Sequence, residues 1–274
     1  MNQFSPDYYR DETPDQSMDN TQASINYIRS IDPEFSLVSP IITPRFAPSC
    51  SSELLSRLGK LAKDSNLPIQ THMSENLAEV ALVKELFPDQ ATYAHVYDAH
   101  GLLTERTILA HCVHISEDEV KLCAERGVGI AHCPISNTGL TSGEAKVRWM
   151  IEGGVKVGLG TDCSGGYSPS ILESARQASN VSRHVCMKST LETKQTPQLA
   201  LPEILCLATL GGAEVCGLQD KVGNFVVGKE FDALLIDPGV EGGNVDIFEE
   251  DEGDWDRVLS KWAFNGYLPF HCHL

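Results

Sequence analysis

The stretch Leu67-Pro68-Ile69-Gln70-Thr71-His72-Met73-Ser74-Glu75-Asn76 decides the fold. It reads as a short buried strand ending in His72, with Glu75 three residues on and a helix opening near Leu77. A histidine at the carboxyl end of a strand, with a carboxylate just past it, is where barrel enzymes place metal ligands and proton carriers. Two later segments repeat the design: Thr107-Ile108-Leu109-Ala110-His111 and Val155-Lys156-Val157-Gly158-Leu159-Gly160-Thr161-Asp162. Three apolar runs each end in a side chain able to hold a metal or carry a proton.

Working outward, helical stretches alternate with these runs. Thr21 to Ile31 predicts a helix, and Ser51-Ser52-Glu53 opens another with Leu54, Leu55, Leu58 and Leu61 on one face. Ser116-Glu117-Asp118-Glu119 is a capping box for a helix ending at Gly127. Further helices are expected near 77–87, 144–152, 170–187 and 202–210. Five strands are expected: 35–43, 67–72, 107–112, 128–133 and 155–161, the first weakened by Pro40, which has no N–H for a sheet ladder. Regular strand–helix alternation implies parallel βα units. The fold class is therefore α/β, a partial (β/α)8 TIM-type barrel, because five strands do not close an eight-stranded one. Residues 1–217 are assigned to this barrel. After Gly217 the texture changes to turns and short apolar segments, so 218–274 is expected to be a remnant of a small β domain plus a divergent tail.

Composition narrows the function classes. The 274-residue chain carries a formal charge of −17, which argues against a phosphate-binding surface while leaving free nucleobases open. No apolar run reaches membrane-spanning length, and Met1-Asn2-Gln3-Phe4-Ser5 begins no signal peptide. Nine cysteines without a CxxC pair indicate neither a disulfide framework nor a thiolate zinc site, so a reduced, cytoplasmic setting is expected.

His72, His111 and Asp162 form an N, N, O donor set suited to Zn²⁺ or a similar divalent ion. A metal there would lower the pKa of water for attack on an electrophilic carbon. Asp162 is a candidate acceptor for the water's proton and Glu75 a candidate donor to a substrate nitrogen. Arg45 and Phe46 follow the first expected strand. They suit a carbonyl oxygen and a flat ring, or equally a surface arginine and a core phenylalanine. Gly165-Gly166 permits close backbone approach or is a plain turn. His132 ends a strand but is expected to pack rather than ligate, the Pro134 turn leading the chain away. His95, His100, His114 and His184 read as surface or helix residues. His271-Cys272-His273 reads as a terminal tail.

At these residues the sequence resembles the guanine deaminases of the amidohydrolase superfamily. The matching stretches are Thr43-Pro44-Arg45-Phe46-Ala47-Pro48-Ser49-Cys50, Thr71-His72-Met73-Ser74-Glu75-Asn76, Ala131-His132-Cys133-Pro134, Gly160-Thr161-Asp162, Ala208-Thr209-Leu210-Gly211-Gly212-Ala213 and Gly228-Lys229-Glu230-Phe231-Asp232-Ala233. The resemblance implies hydrolytic deamination of guanine to xanthine and ammonia with one zinc. It implies His72 and Asp162 as zinc ligands, with His111 beside the metal and substrate. Arg45, Phe46, His72 and Glu75 would meet the purine, with Glu75 as proton shuttle. The family's H-x-H motif has no counterpart upstream of His72. The expectation is a chain that begins after the family's first barrel strands, with impaired turnover and an open sheet edge suited to pairing in a homo-oligomer or with another chain. A related amidohydrolase acting on a pterin or triazine is the rival within enzymes, and a non-catalytic partner protein the rival outside them.

Overall fold

The structure is a computed structural model that describes residues 1–189, 198–240 and 243–266. Helix α1 (Pro14–Ile31) leads to α2 (Ser52–Ser65), and β1 (Ile69–Met73) is followed by α3 (Leu77–Leu86) and α4 (Tyr93–Ala99). Then come β2 (Thr107–His111), α5 (Glu117–Arg126), β3 (Gly129–His132), α6 (Pro134–Gly139), α7 (Val147–Glu152) and β4 (Lys156–Leu159). Helices α8 (Ile171–Lys188), α9 (Leu201–Ala208), α10 (Leu210–Val215) and α11 (Trp255–Asn265) complete the order.

The four strands form one parallel sheet in the order β1-β2-β3-β4. A sequential order has no point at which strand order reverses, which separates it from a doubly wound sheet and makes it a sector of a barrel. The register aligns His72 with Ala110, Met73 with His111 and His132 with Leu159, so the functional residues reach the same end of the sheet. The core is built by Ile69, Leu109, Ile130 and Val157 from successive strands, with Leu54, Leu55 and Leu58 of α2 in the same buried cluster. Local chemistry matches the helix ends. Ser51 accepts the Leu54 N–H at the start of α2, and Ser116 and Glu119 close a reciprocal capping box on α5. Glu119 also accepts the Ala94 N–H at 3.0 Å, tying α4 to α5. On β4, a Cβ at Gly158 would lie 2.8 Å from the Gly212 Cα, so only glycine lets α10 lie this close to the sheet.

Two expectations are corrected. The segment 35–43 is not a strand; only single bridges, Ile42 to Ile69 and Phe46 to His72, run alongside β1. Pro40 removes one donor, and the Asp32 carboxylate takes the Leu37 and Val38 N–H groups at 2.6 and 2.9 Å, curling the chain away from a ladder. Those backbone bonds hold Asp32 down to about 2. Between Gly217 and Gly266 no strand forms among the described residues. Turns at Gly223 and Gly228, both with positive φ, break the apolar run, and Phe225, Val227, Phe231 and Leu235 face solvent without a neighbouring strand. Helix α11 docks on α8 through Arg176, whose Nε donates to the Ala263 carbonyl at 2.6 Å. No helix among the described residues is long and apolar enough to cross a membrane.

Candidate active site

His72, His111 and Asp162 come together at the carboxyl ends of β1, β2 and β4, each offering one donor atom, and these atoms lie within 4.8 Å of one another. Strand alternation alone would not achieve this. In β1, Ile69, Thr71 and Met73 are buried on one face while His72 lies on the other, beside its register partner Ala110. Continued alternation would send His111 to the face of Thr107 and Leu109. The backbone at His111 instead has φ 70°, and its ring ends 5.0 Å from that of His72. Asp162 (φ 45°) and Ser74 (φ 51°) turn in the same way just past their strands. Left-handed backbone at non-glycine residues costs energy and clusters where function requires it.

Both imidazoles are held in one tautomer. The His72 Nδ1–H donates to the Arg45 carbonyl at 2.9 Å, and the His111 Nδ1–H donates to Asn137 Oδ1 at 2.8 Å. A nitrogen that donates leaves its partner, Nε2, with a free lone pair. The His111 ring is fully buried, and its Nε2 has no hydrogen-bond partner among the described residues although it lies 3.9 Å from Glu75 Oε2 and from Asp162 Oδ2. A buried lone pair facing two carboxylates, beside a second freed imidazole nitrogen, fits a divalent cation. Burial, and then the neighbouring His111, hold His72 below its ordinary 6.5, in the neutral form that ligation requires.

Glu75 borders this group. Its Oε1 accepts the Ser142 hydroxyl at 3.3 Å, and its backbone N–H donates to Glu79 Oε2 at 3.2 Å. Ser142 is pinned in turn: His114 Nε2–H donates to its carbonyl at 2.8 Å. His114 is thus part of the wall around Glu75, which corrects the reading of it as a surface or helix residue. Gly165 does approach closely: a Cβ there would lie 2.5 Å from Asp162 Oδ2 and 3.0 Å from Ser136 Oγ. Arg45 is exposed and Phe46 half-buried, the guanidinium carbon 5.3 Å from the ring centroid. The His72 N–H donates to the Arg45 carbonyl at 3.0 Å, so the pair stands at the level of the metal candidates.

His132 is buried with neither ring nitrogen bonded among the described residues, and burial, then His111, push it down to about 3. It is not one of the three converging ligands. Pro134 does not lead the chain away; it opens α6 at its first position and brings Asn137 back to His111. His95 bonds Thr92, His100 bonds Ser52 and Val96, and His184 faces Glu144, all elsewhere. His271 and His273 lie outside the described residues. Asn137, Ser142 and Tyr97 were not singled out in the sequence. Of these only Asn137 carried a signal, lying one helical turn past the Pro134 helix start.

A parallel sheet with sequential strand order, carrying two histidines and an aspartate that could hold a metal ion at its carboxyl end, defines a barrel-type α/β chain with a candidate metal site. The chain belongs to the Amidohydrolase family, whose family model matches residues 4–265. It is 51% identical over 265 residues to a probable guanine deaminase of Schizosaccharomyces pombe, a match covering 96% of this chain and 49% of that one. The chain spans about half the length of the curated relatives it matches, from 49% to 57% of the first three. Among solved structures it is similar to a guanine deaminase from C. acetobutylicum with bound guanine in the active site: TM-score 0.85, 35% identity, covering 96% of this chain and 59% of that chain. It is also similar to an adenosine deaminase from Xanthomonas campestris with bound zinc, at TM-score 0.75 and 25% identity over 92% of this chain and 53% of that chain.

Proposed function

We propose that this chain takes part in the zinc-dependent hydrolytic deamination of guanine, in which guanine and water give xanthine and ammonia. The observation that carries the reading is the pair of freed imidazole nitrogens facing Asp162. The relatives named guanine deaminases support the substrate, and the zinc in a related deaminase supports the metal. His72, His111 and Asp162 would hold the zinc, with His111, as the alternative the resemblance implied, standing beside it and the substrate. When bound, zinc supplies Lewis acidity, which lowers the pKa of water and makes it nucleophilic near pH 7.

The remaining roles belong to the chain's own groups. Asp162 accepts a proton from the attacking water, and Glu75 moves a proton to the ring nitrogen beside the carbon under attack. Asp162 passes the proton it took to the departing amine, so that ammonia leaves, and the new hydroxyl gives its proton to Glu75 as the ring carbonyl forms. Arg45 hydrogen-bonds the purine carbonyl and Phe46 stacks on the ring, the cation–π contact between them giving way to the base. The reading also takes 1–217 as the barrel part and 218–274 as a separate one, in a cytoplasmic enzyme able to assemble with copies of itself.

The test is guanine turnover by the purified chain at stoichiometric zinc, followed by xanthine absorbance and ammonia release, with pterin and triazine substrates in parallel. Xanthine formation that E75Q removes supports the reading. Turnover of another ring without guanine, or an oligomer with no hydrolysis whose assembly ignores E75Q, would sink it.

A further inference from the structure

Tyr97 takes no part in the chemistry above, yet its hydroxyl lies where the two halves of the site meet. It is carried on α4 and fully buried. The hydroxyl donates to the His72 carbonyl at 2.7 Å and accepts the Thr71 hydroxyl at 2.8 Å and the Ala47 N–H at 3.0 Å. One donor and two acceptor positions are all that a phenol offers, and every one is used. The Tyr93 ring stacks on it at 5.4 Å, fixing the side chain from behind. Burial raises the phenol's pKa, so it remains a donor at neutral pH.

The three partners belong to two pieces of chain with different support. Thr71 and His72 are in β1, locked in the parallel ladder with β2. Ala47 follows Arg45 and Phe46, in a segment that is not a strand and meets β1 at the Ile42 and Phe46 bridges and through side-chain bonds from Gln70, Thr71 and His72. A segment outside the ladder relies on such side-chain tethers for its position. We propose that Tyr97 is a positioning residue that fixes the Arg45–Phe46 pair against His72, and so sets the distance between base recognition and the metal residues. What it positions rests on the function proposed above. That it positions this segment does not.

The experiment compares the full chain with Y97F, a variant that keeps the ring and loses only the hydroxyl. Hydrogen exchange read by mass spectrometry is expected to quicken about tenfold in peptides covering 42–50, the size of one buried hydrogen bond, with β2 and β3 unchanged. In the zinc-loaded chain, guanine binding is expected to weaken about tenfold while zinc affinity stays within about twofold, because His72 keeps its ladder. A merely structural role would quicken exchange across the whole sheet and move both affinities together. Unchanged exchange at 42–50, or acceleration shared equally by β2 and β3, would overturn the proposal, as would unaltered guanine affinity in a chain that binds guanine. If the unsubstituted chain binds no guanine, the functional reading fails, and the exchange comparison still decides whether Tyr97 holds this segment.

Discussion

Replacing Asn137 by alanine tests whether the orientation of His111 matters to the metal site. The Nδ1–H to Oδ1 bond is 2.8 Å long between two residues at most 1% exposed, so no water takes over when the acceptor is removed. The stranded Nδ1–H costs about 1–3 kcal/mol. A neutral imidazole escapes that cost by moving its proton to Nε2, where Glu75 and Asp162, each 3.9 Å away, welcome an N–H. That tautomer has no lone pair for a metal. The expected result is a loss of about 10- to 100-fold in zinc affinity, the usual range for partners that orient ligands. Stability should fall by only about 1 kcal/mol. The Asn137 Nδ2 is already unpartnered among the described residues, and its carbonyl keeps the Ser142 N–H at 2.8 Å. The assay is competition for zinc with a chromophoric chelator at pH 7.5, with thermal unfolding alongside. Zinc affinity within twofold of the unsubstituted chain would refute the reasoning, since it would leave the tautomer without consequence.

Gly165→Ala should cost at least about tenfold in zinc affinity with little change in melting temperature, because the added methyl falls 2.5 Å from Asp162 Oδ2 and must displace it. Ser142→Ala should lower guanine kcat by about tenfold at unchanged KM and zinc content, since it removes only the hydroxyl held against Glu75. Arg148 grips Glu203 with bonds of 2.6 and 2.7 Å and holds its carboxyl below the ordinary 4.5. A depressed carboxylate stabilises the fold above its unfolded pKa and ceases to do so as pH falls through the folded one. Arg148→Met should therefore cost about 1 kcal/mol or less at pH 7, a discounted figure for a partly exposed pair, and less below pH 4.5, as urea melts at the two pH values would show.

The strands that carry the site were legible because a fully buried parallel strand is a short apolar run, and those ending at His72, His111 and His132 were placed within two residues. The 35–43 run failed for a reason already in its letters, since Pro40 and the Asp32 carboxylate both compete with a ladder. Helix α4 was missed because seven residues are too few to show a helical period, and so Tyr97 was missed with it. Asn137, Ser142 and His114 act across 26, 67 and 28 residues of chain respectively, through loops whose course no local pattern records. The triad itself was visible only as three similar strand ends. The turn of the His111 ring onto the face of His72 depends on one backbone angle that no sequence period encodes.

That angle has a consequence for how such a chain changes over generations. His111, Cys112, Asp162 and Ser74 all occupy left-handed backbone, which glycine or asparagine adopts at about 1 kcal/mol less strain. Screening libraries of this protein for heat resistance alone would therefore enrich glycine or asparagine at these corners and discard the metal-facing groups first. Thermostable isolates from such a screen would be well folded and chemically silent, and their lost positions would outline the site without any assay of its reaction.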